Sequence, residues 1–455
     1  MLNLFVKQMK ANSIPESVIR TFSAYYKLLA KGERGLISRS EISPPSGTNL
    51  VDYNSLSSYR RQNILKNIVV IKLNGGLGTS MGLAAAKSLL PVKGNMNFLD
   101  IITRQVLAQR AGTGYEVILM FMNSYNTEAD TLDYLTKYPD LAKQSLPISF
   151  VQNKFPRVRQ DNLKPYENDD PVKMWNPPGH GDLYAALSAS GLLDKLIDSG
   201  YRYAFVSNAD NLGATIDTCI PSYMEENDIH FLMEVCDRTE MDKKGGHLAE
   251  DKHGQLLLRE VAQCPPEELP EFQNVEYYRY FNTNNLWIDL KALQWNLIAG
   301  DGVMLLPLII NPKMVDGTPV YQLETAMGAA IGVFHGARAL VVPRARFAPV
   351  KKNNDLLAIW SDLYELNDQY QVVLRRGINS IPTIDLDERY YGKIDVMLAR
   401  FKEGVPSLVG CSSLKIEGDI SFGEDVICEG NVSLSTPRPI HLKSRLLTGD
   451  IVFNP

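Results

Sequence analysis

Ile68-Val-Val-Ile-Lys-Leu-Asn-Gly-Gly-Leu-Gly-Thr-Ser-Met-Gly82 joins an apolar run directly to a glycine-rich one. A short apolar run bounded by turn residues reads as a buried strand, and residues 68–73 fit that pattern. Beyond it, Gly75, Gly76, Gly78 and Gly82 let the backbone turn tightly and approach a ligand with no Cβ in the way. Successive N–H groups in such a loop cradle phosphate oxygens or a base edge. The spacing excludes two commoner loops. There is no Gly-x4-Gly-Lys-Ser/Thr, and in a dinucleotide fingerprint starting at Gly76 the third glycine would fall on Met81. Lys87, five residues past Gly82, stands where a cation neutralises phosphate charge developing during transfer; in isolation it is a surface lysine.

Outward from this stretch, strand-like and helix-like segments alternate. Residues 116–122, 148–152, 203–207, 231–235, 285–289 and 339–342 read as strands. Residues 97–109, 127–137, 183–198 and 324–334 read as helices. Alternation of this kind predicts an α/β fold, a mostly parallel sheet covered on both faces, with ligands at the carboxyl ends of its strands. Before it, Ser13-Ile-Pro-Glu16 reads as a capped helix start leading into Val18, Ile19, Phe22, Tyr26 and Leu29 at helical spacing. A polar stretch at 38–47 reads as a linker. After it, residues 414–434 alternate apolar and polar, with Gly418, Gly423 and Gly430 at turns. They predict a small β-solenoid that caps the main domain or mediates oligomer contact. The expected units are therefore an N-terminal helical segment (1–47), a catalytic domain (48–382) and a C-terminal β domain (383–455).

A chain of 455 residues exceeds one ordinary domain, and 45% hydrophobic with 22% charged residues suits a folded core. The net charge of −5 argues against a nucleic-acid partner. No run approaches the roughly 18 apolar residues of a membrane span, and residues 1–7 lack a signal-peptide core. Five scattered cysteines, none in C-x-x-C spacing, point to free thiols in a reducing cytoplasm rather than to disulfides or zinc.

Four further segments carry chemistry. In Pro178-Gly-His-Gly-Asp182 two glycines flank a histidine at a predicted helix start, leaving N–H groups free for an anion. Asn208-Ala-Asp210 follows a strand, and its carboxylate suits Mg²⁺, which takes one or two carboxylates plus phosphate oxygens. Phe281-Asn-Thr-Asn-Asn285 offers amides that suit sugar hydroxyls, as does Glu324 at the start of a predicted helix. Lys351-Lys352 alone is a solvated pair.

These segments, in this order, resemble the eukaryotic-type UTP–glucose-1-phosphate uridylyltransferases. The likeness rests on Lys72 to Gly82 with Lys87-Ser-Leu89, Gln152 with Phe155-Pro-Arg157, Pro177 to Asp182, Phe205 to Ala214, Phe281 to Trp287, Gln322 to Ala326 and Pro343 to Lys351. The resemblance implies a Rossmann-like (GT-A-like) mixed sheet with helices on both faces and a left-handed β-helix-like C-terminal domain. It implies conversion of UTP and glucose 1-phosphate to UDP-glucose and pyrophosphate in the cytoplasm, with Mg²⁺ at Asp210. It places Leu73, Asn74, Gly75, Gly76, Lys87, Gln152, Gly179, Asp210 and Lys351 at the nucleotide. Gly75, Gly76, His180, Asn208, Ala209, Asp210, Asn282, Thr283, Asn284 and Glu324 fall at the sugar phosphate, and Lys87 and Lys351 are the catalytic cations. A homo-oligomer formed through the C-terminal domain is the expected assembly, with no membrane or nucleic-acid partner. Related N-acetylhexosamine or broad-range pyrophosphorylases usually carry Gly-Thr-Arg where this chain has Gly78-Thr-Ser80, which favours glucose. A silent sugar-nucleotide binder or an assembly scaffold would be expected to have lost Lys87, Asp210 or Lys351. Ala86 stands where many sugar nucleotidyltransferases have proline.

Overall fold

The run Ile68–Asn74 is buried on both sides: Ile68 and Val70 enter one hydrophobic cluster, Val69 and Ile71 the other. A strand that must satisfy two apolar layers belongs in the middle of an α/β sheet. The structure is a computed structural model; it describes residues 1–83, 85–378 and 380–453, with Ser80 as backbone alone. Its central strands are β1 (Leu50–Asp52), β2 (Ile68–Asn74), β3 (Ile118–Asn123), β4 (Ser149–Val151), β5 (Tyr203–Asn208), β6 (Phe231–Asp237), β7 (Tyr280–Asp289) and β8 (Arg338–Val341). Across the sheet they run β1-β8-β6-β7-β5-β2-β3-β4. All neighbours pair parallel except β7, which is antiparallel to β5 and β6. Ile42–Ser43, His247–Asp251 and Leu256–Arg259 bring the mixed sheet to 11 strands among the described residues.

The helices longer than one turn are α1 (Leu2–Ala11), α2 (Glu16–Ala30), α3 (Phe98–Thr113), α4 (Glu128–Leu135), α5 (Leu183–Ala189), α6 (Leu192–Asp198), α7 (Cys219–Glu226), α8 (Leu290–Ala299), α9 (Asn353–Trp360) and α10 (Ile394–Arg400). Side chains of α3, α7 and α9 cover the face shared by Val70 and Phe205, and α5, α6 and α8 cover the other. Asn97 starts α3 reciprocally with Asp100: each side chain accepts from the other's backbone N–H at 2.9 Å. Gly114, at φ +74°, ends it.

Several elements depart from the sequence reading. The predicted helix 183–198 breaks at Gly191, whose φ of +69° separates α5 from α6. The predicted helix 324–334 does not form. Glu324 instead ends a strand, Thr318–Glu324, paired with Ile309–Val315, and Met327–Gly332 is a 3-10 turn. This segment is apolar because it is a plug buried on every side: a Cβ at Gly328 would come within 2.9 Å of both Leu258 and Met233. Ser13 does not cap α2; it turns the chain at φ +56° after the unanticipated α1, and Pro15 holds the N-cap position. The 38–47 stretch is not a free linker, because Ile42–Ser43 pairs with Asp251 and Glu250. The two N-terminal helices pack inward: Phe5, Phe22 and Tyr26 share a core with Phe155, Trp175 and Leu323. All five cysteines are free and buried.

Towards the C-terminus, β9 (Thr383–Leu386), β10 (Cys411–Glu417), β11 (Val426–Ser435) and β12 (Arg445–Val452) pair successively in parallel. A second small parallel pair joins Ile420–Phe422 to Ile440–Leu442. The alternation read from the sequence sends Leu414, Ile416, Val432 and Leu434 inward, and their cluster is continuous with the one that contains Val70. Gly418 is obligatory: at φ +104° an added Cβ would lie 2.3 Å from the Thr436 carbonyl oxygen.

Candidate active site

The β2 and β5 strands are in parallel register, Leu73 opposite Asn208, so the two loops that follow leave the same edge of the sheet. Ala209 N donates to Leu73 O at 3.0 Å and locks them together. The glycine loop then folds back on itself, with Lys87 N donating to Gly76 O at 3.1 Å and Leu77 bridged to Ala86. This return carries Lys87 to Asp210, where Nζ and Oδ2 are 2.6 Å apart in a pair only partly open to solvent. Charge-assisted contacts of this length are the strong ones. Val350 N donates to Asp210 O at 3.1 Å, so Lys351 follows directly on the same turn.

The remaining residues assigned to the nucleotide divide by what they can offer. The Asn74 carboxamide is buried and committed, donating to Asn123 Oδ1 at 2.8 Å and Thr131 Oγ1 at 2.9 Å. It anchors the loop and has no side-chain donor left for a ligand. Ala209 is likewise buried in the core and offers backbone only. Leu73 packs against the α5 side of the sheet. Asn208 is half-buried at the strand end. Gly76 is open, with nothing within 4 Å of an added Cβ, whereas Gly75 lies 3.2 Å by that measure from Gln152 Nε2. The Gln152 carboxamide makes no hydrogen bond to protein among the described residues, which leaves its donor and its acceptor unengaged beside Gly75.

Beside the loop lies a pocket of about 360 Å³ that gathers Gly179, His180, Asn282, Asn284, Glu324 and Lys351, residues scattered over 170 positions of sequence. Its wall at Gly179 is a backbone contact: φ is +77° and a Cβ would sit 2.4 Å from Thr325 O. Gly181 N donates to the same carbonyl at 2.9 Å. His180 Nδ1 accepts from Met327 N at 2.9 Å, which leaves the proton on Nε2. Burial lowers its pKa to about 4, so the ring is a neutral donor at physiological pH. Asn284 adopts φ +59° where the register shifts between Glu234 and Val235, and it is bonded locally to Asn282, two residues before it on the same strand. Thr283 points the other way, its hydroxyl donating to Glu234 O at 2.6 Å. Burial raises the pKa of Glu324, and Asn311 opposes the shift by donating to its carboxylate at 3.3 Å.

Behind the pocket, Glu234 is fully buried. It accepts from Arg346 Nε at 2.7 Å and Nη2 at 2.6 Å, from Trp287 Nε1 at 2.9 Å and from Asn285 Nδ2 at 3.0 Å. Arg346 also donates to Thr215 O at 3.0 Å. Sequence reading missed this group, and also Glu260, which lines the pocket facing Lys351. Burial pushes Glu260 up to about 7 against the pull of Lys351. The one signal was Gly245-Gly246, since a Cβ at Gly246 would strike the Glu260 carboxylate at 2.6 Å.

A glycine loop with Lys87 and Asp210 at one strand edge, beside a polar pocket reached by Lys351, defines a nucleotidyltransferase. The UTP–glucose-1-phosphate uridylyltransferase family model matches residues 19–429. The chain is 39% identical to the UTP–glucose-1-phosphate uridylyltransferase of Musa acuminata, covering 95% of this chain and 93% of that one. It is also 39% identical to that of Saccharomyces cerevisiae, covering 96% and 89%. A Leishmania major UDP-glucose pyrophosphorylase variant solved with UDP-glucose superposes at a TM-score of 0.92, with 42% identity and 99% of each chain covered. The Trypanosoma brucei enzyme gives 0.89, with 43% identity over 100% of this chain and 99% of that one. The chain belongs to the UTP–glucose-1-phosphate uridylyltransferase family, nucleotidyltransferases that make UDP-glucose from UTP and glucose 1-phosphate.

Two outcomes follow from the pocket. Gly179→Ala should fold yet lose more than tenfold in kcat/KM, because the wall must move away from Thr325; unchanged kcat/KM would contradict the close contact. Glu260 is protonated below about pH 7 and ionised above it. If its carboxylate accepts sugar hydroxyls, KM for glucose 1-phosphate should fall from pH 6 to pH 8, and Glu260→Gln should flatten that change. A Gln variant that keeps the full pH slope would remove Glu260 from sugar binding.

Proposed function

We propose that UDP-glucose forms here by direct attack of a phosphate oxygen of glucose 1-phosphate on the α-phosphorus of UTP. The new P–O bond forms as the α–β phosphoanhydride bond breaks, and pyrophosphate leaves with the electron pair. The nucleophile is already an anion, so the chain has to position and to neutralise charge rather than remove a proton. The observation that carries this reading is the convergence of Lys87 and Lys351 on the Asp210 turn from two different loops. Lys87, the open backbone of Gly76 and the adjoining Gly75 face the nucleotide phosphates. Gln152 reads the uracil edge with its unengaged carboxamide, and Gly179 lies against the uridine. His180 donates from Nε2 to the sugar phosphate; Asn282, Asn284, Glu324 and Glu260 hold sugar hydroxyls. Thr283, Ala209 and Asn74 contribute through backbone position, since their side chains are committed elsewhere.

Mg²⁺ fits this donor set. Among the described residues no three His, Cys, Asp or Glu side chains cluster, and a cation that keeps phosphate oxygens and water needs only one or two carboxylates. Asp210 would hold it, and it would supply charge neutralisation across the phosphates. The successive parallel strands β9–β12 support a left-handed β-helix-like C-terminal domain, and the sheet order supports the Rossmann-like, GT-A-like reading of the rest. The domain division 1–47, 48–382 and 383–455 follows this layout, although the shared cores make the three units one packed body. Leu446 and Val452 are exposed on the edge strand β12, which supports homo-oligomer contact through this domain. No helix among the described residues is long and apolar enough to cross a membrane, and buried free thiols favour the cytoplasm.

The test is pyrophosphate release with Mg²⁺, each nucleoside triphosphate, and glucose, galactose and N-acetylglucosamine 1-phosphates. UTP with glucose 1-phosphate should lead, and Lys87→Ala should lower turnover about 100-fold or more while the protein stays folded. Equal rates for all three sugars, or a Lys87→Ala enzyme with normal turnover, would overturn the assignment.

A further inference from the structure

Beneath α3, on the Val70 face of the sheet, lies a cavity of about 230 Å³. One water needs only about 10–15 Å³ of such space, so the cavity has room for a small organic molecule. Its floor is Val70, Lys72 and Phe205, and its roof is Ile102, Val106 and Gly112 of α3. Carboxamides of several glutamines, among them Gln105 and Gln109, stand in the remaining wall. Lys72 is its one lysine or arginine, and no Asp or Glu among the described residues lines it.

Lys72 is 2% exposed. Its ammonium donates to Ser207 Oγ at 2.7 Å and to Ala214 O at 2.9 Å, both neutral acceptors. An ammonium carries three donors, and a buried charge without a charged partner is costly. Glu234, whose charge favours the ammonium, is already occupied by Arg346. Burial and Arg346 lower the Lys72 pKa to about 7, as expected for a cation short of a counter-charge.

We propose that this cavity is a second ligand site for a small monocarboxylic acid in its anionic form, with the carboxylate against Lys72 and the apolar body against Val70, Val106 and Phe205. A single cation matches a single negative charge. A phosphate dianion would remain half-neutralised, since Lys72 is the one cation in the wall. An occupant here touches Lys72, which precedes Leu73, and Phe205, three residues before Asn208, on the two strands that lead into the catalytic loops.

The full-length protein is titrated with benzoate, benzamide and inorganic phosphate, read by calorimetry and by melting temperature. Gly112→Leu is the blocking variant: a Cβ at Gly112 meets nothing within 4 Å, and the change favours the helix. Benzoate should bind and raise the melting temperature, with benzamide and phosphate at least tenfold weaker. Gly112→Leu and Lys72→Met should both lose benzoate binding, while Gly112→Leu makes UDP-glucose within about twofold of the wild-type rate. That last readout separates failure of this site from failure of the catalytic reading. No benzoate binding, equal binding of benzamide or phosphate, undiminished binding in Gly112→Leu, or displacement of benzoate by UTP would each overturn the proposal.

Discussion

The active site rests on one buried ion pair. Glu234 and Arg346 meet through two parallel contacts in the middle of the molecule, and the groups that hydrogen-bond to their side chains come from separate segments around the catalytic edge. Asn285 and Trp287 tie the antiparallel strand β7 to Glu234. Thr215 ties the segment after Asp210 to Arg346. Asn211 completes the frame by donating to Arg346 O at 3.1 Å and accepting from Ala348 N at 3.0 Å. A desolvated pair adds little net stability, but removing one partner leaves an uncompensated charge and is severe. Its value lies in registry: Val350, four residues beyond Arg346, is held on the Asp210 carbonyl, with Lys351 next in the chain.

The electrostatic design follows from this frame. The chain is acidic overall, at −5, yet its site presents lysines from two loops and a histidine held neutral. Local cations on fixed elements matter more to a polyphosphate than net charge does, because a preorganised group does not have to reorient as charge develops. Lys87 and Asp210 hold each other at 2.6 Å without substrate. The pair ties the end of the glycine loop to the turn after β5.

Much of this was legible in the sequence, for identifiable reasons. The two-sided burial of residues 68–71 and the glycines that follow are local facts, so strand and loop read directly. The groups at 179–180, 208–210 and 351 lie in or beside turns, and 282–284 lie at the bulge in β7, where sequence pattern and position coincide. What was missed depends on tertiary context. The apolar 326–331 stretch imitates a helical face but is buried all round, and glycine packing holds it as a turn. Asn74 and Thr283 lie inside binding motifs yet spend their side chains on the scaffold. Glu260 had no motif of its own; only the contact with Gly246 across the fold brings it to the pocket.

A double-mutant cycle on Glu234→Gln and Arg346→Met, read by urea unfolding, tests the central pair most directly. Each single change should cost about 3–5 kcal/mol, and the double should cost less than their sum by at least about 1 kcal/mol. Additive losses, or single losses under about 1 kcal/mol, would contradict the claim that this pair organises the site.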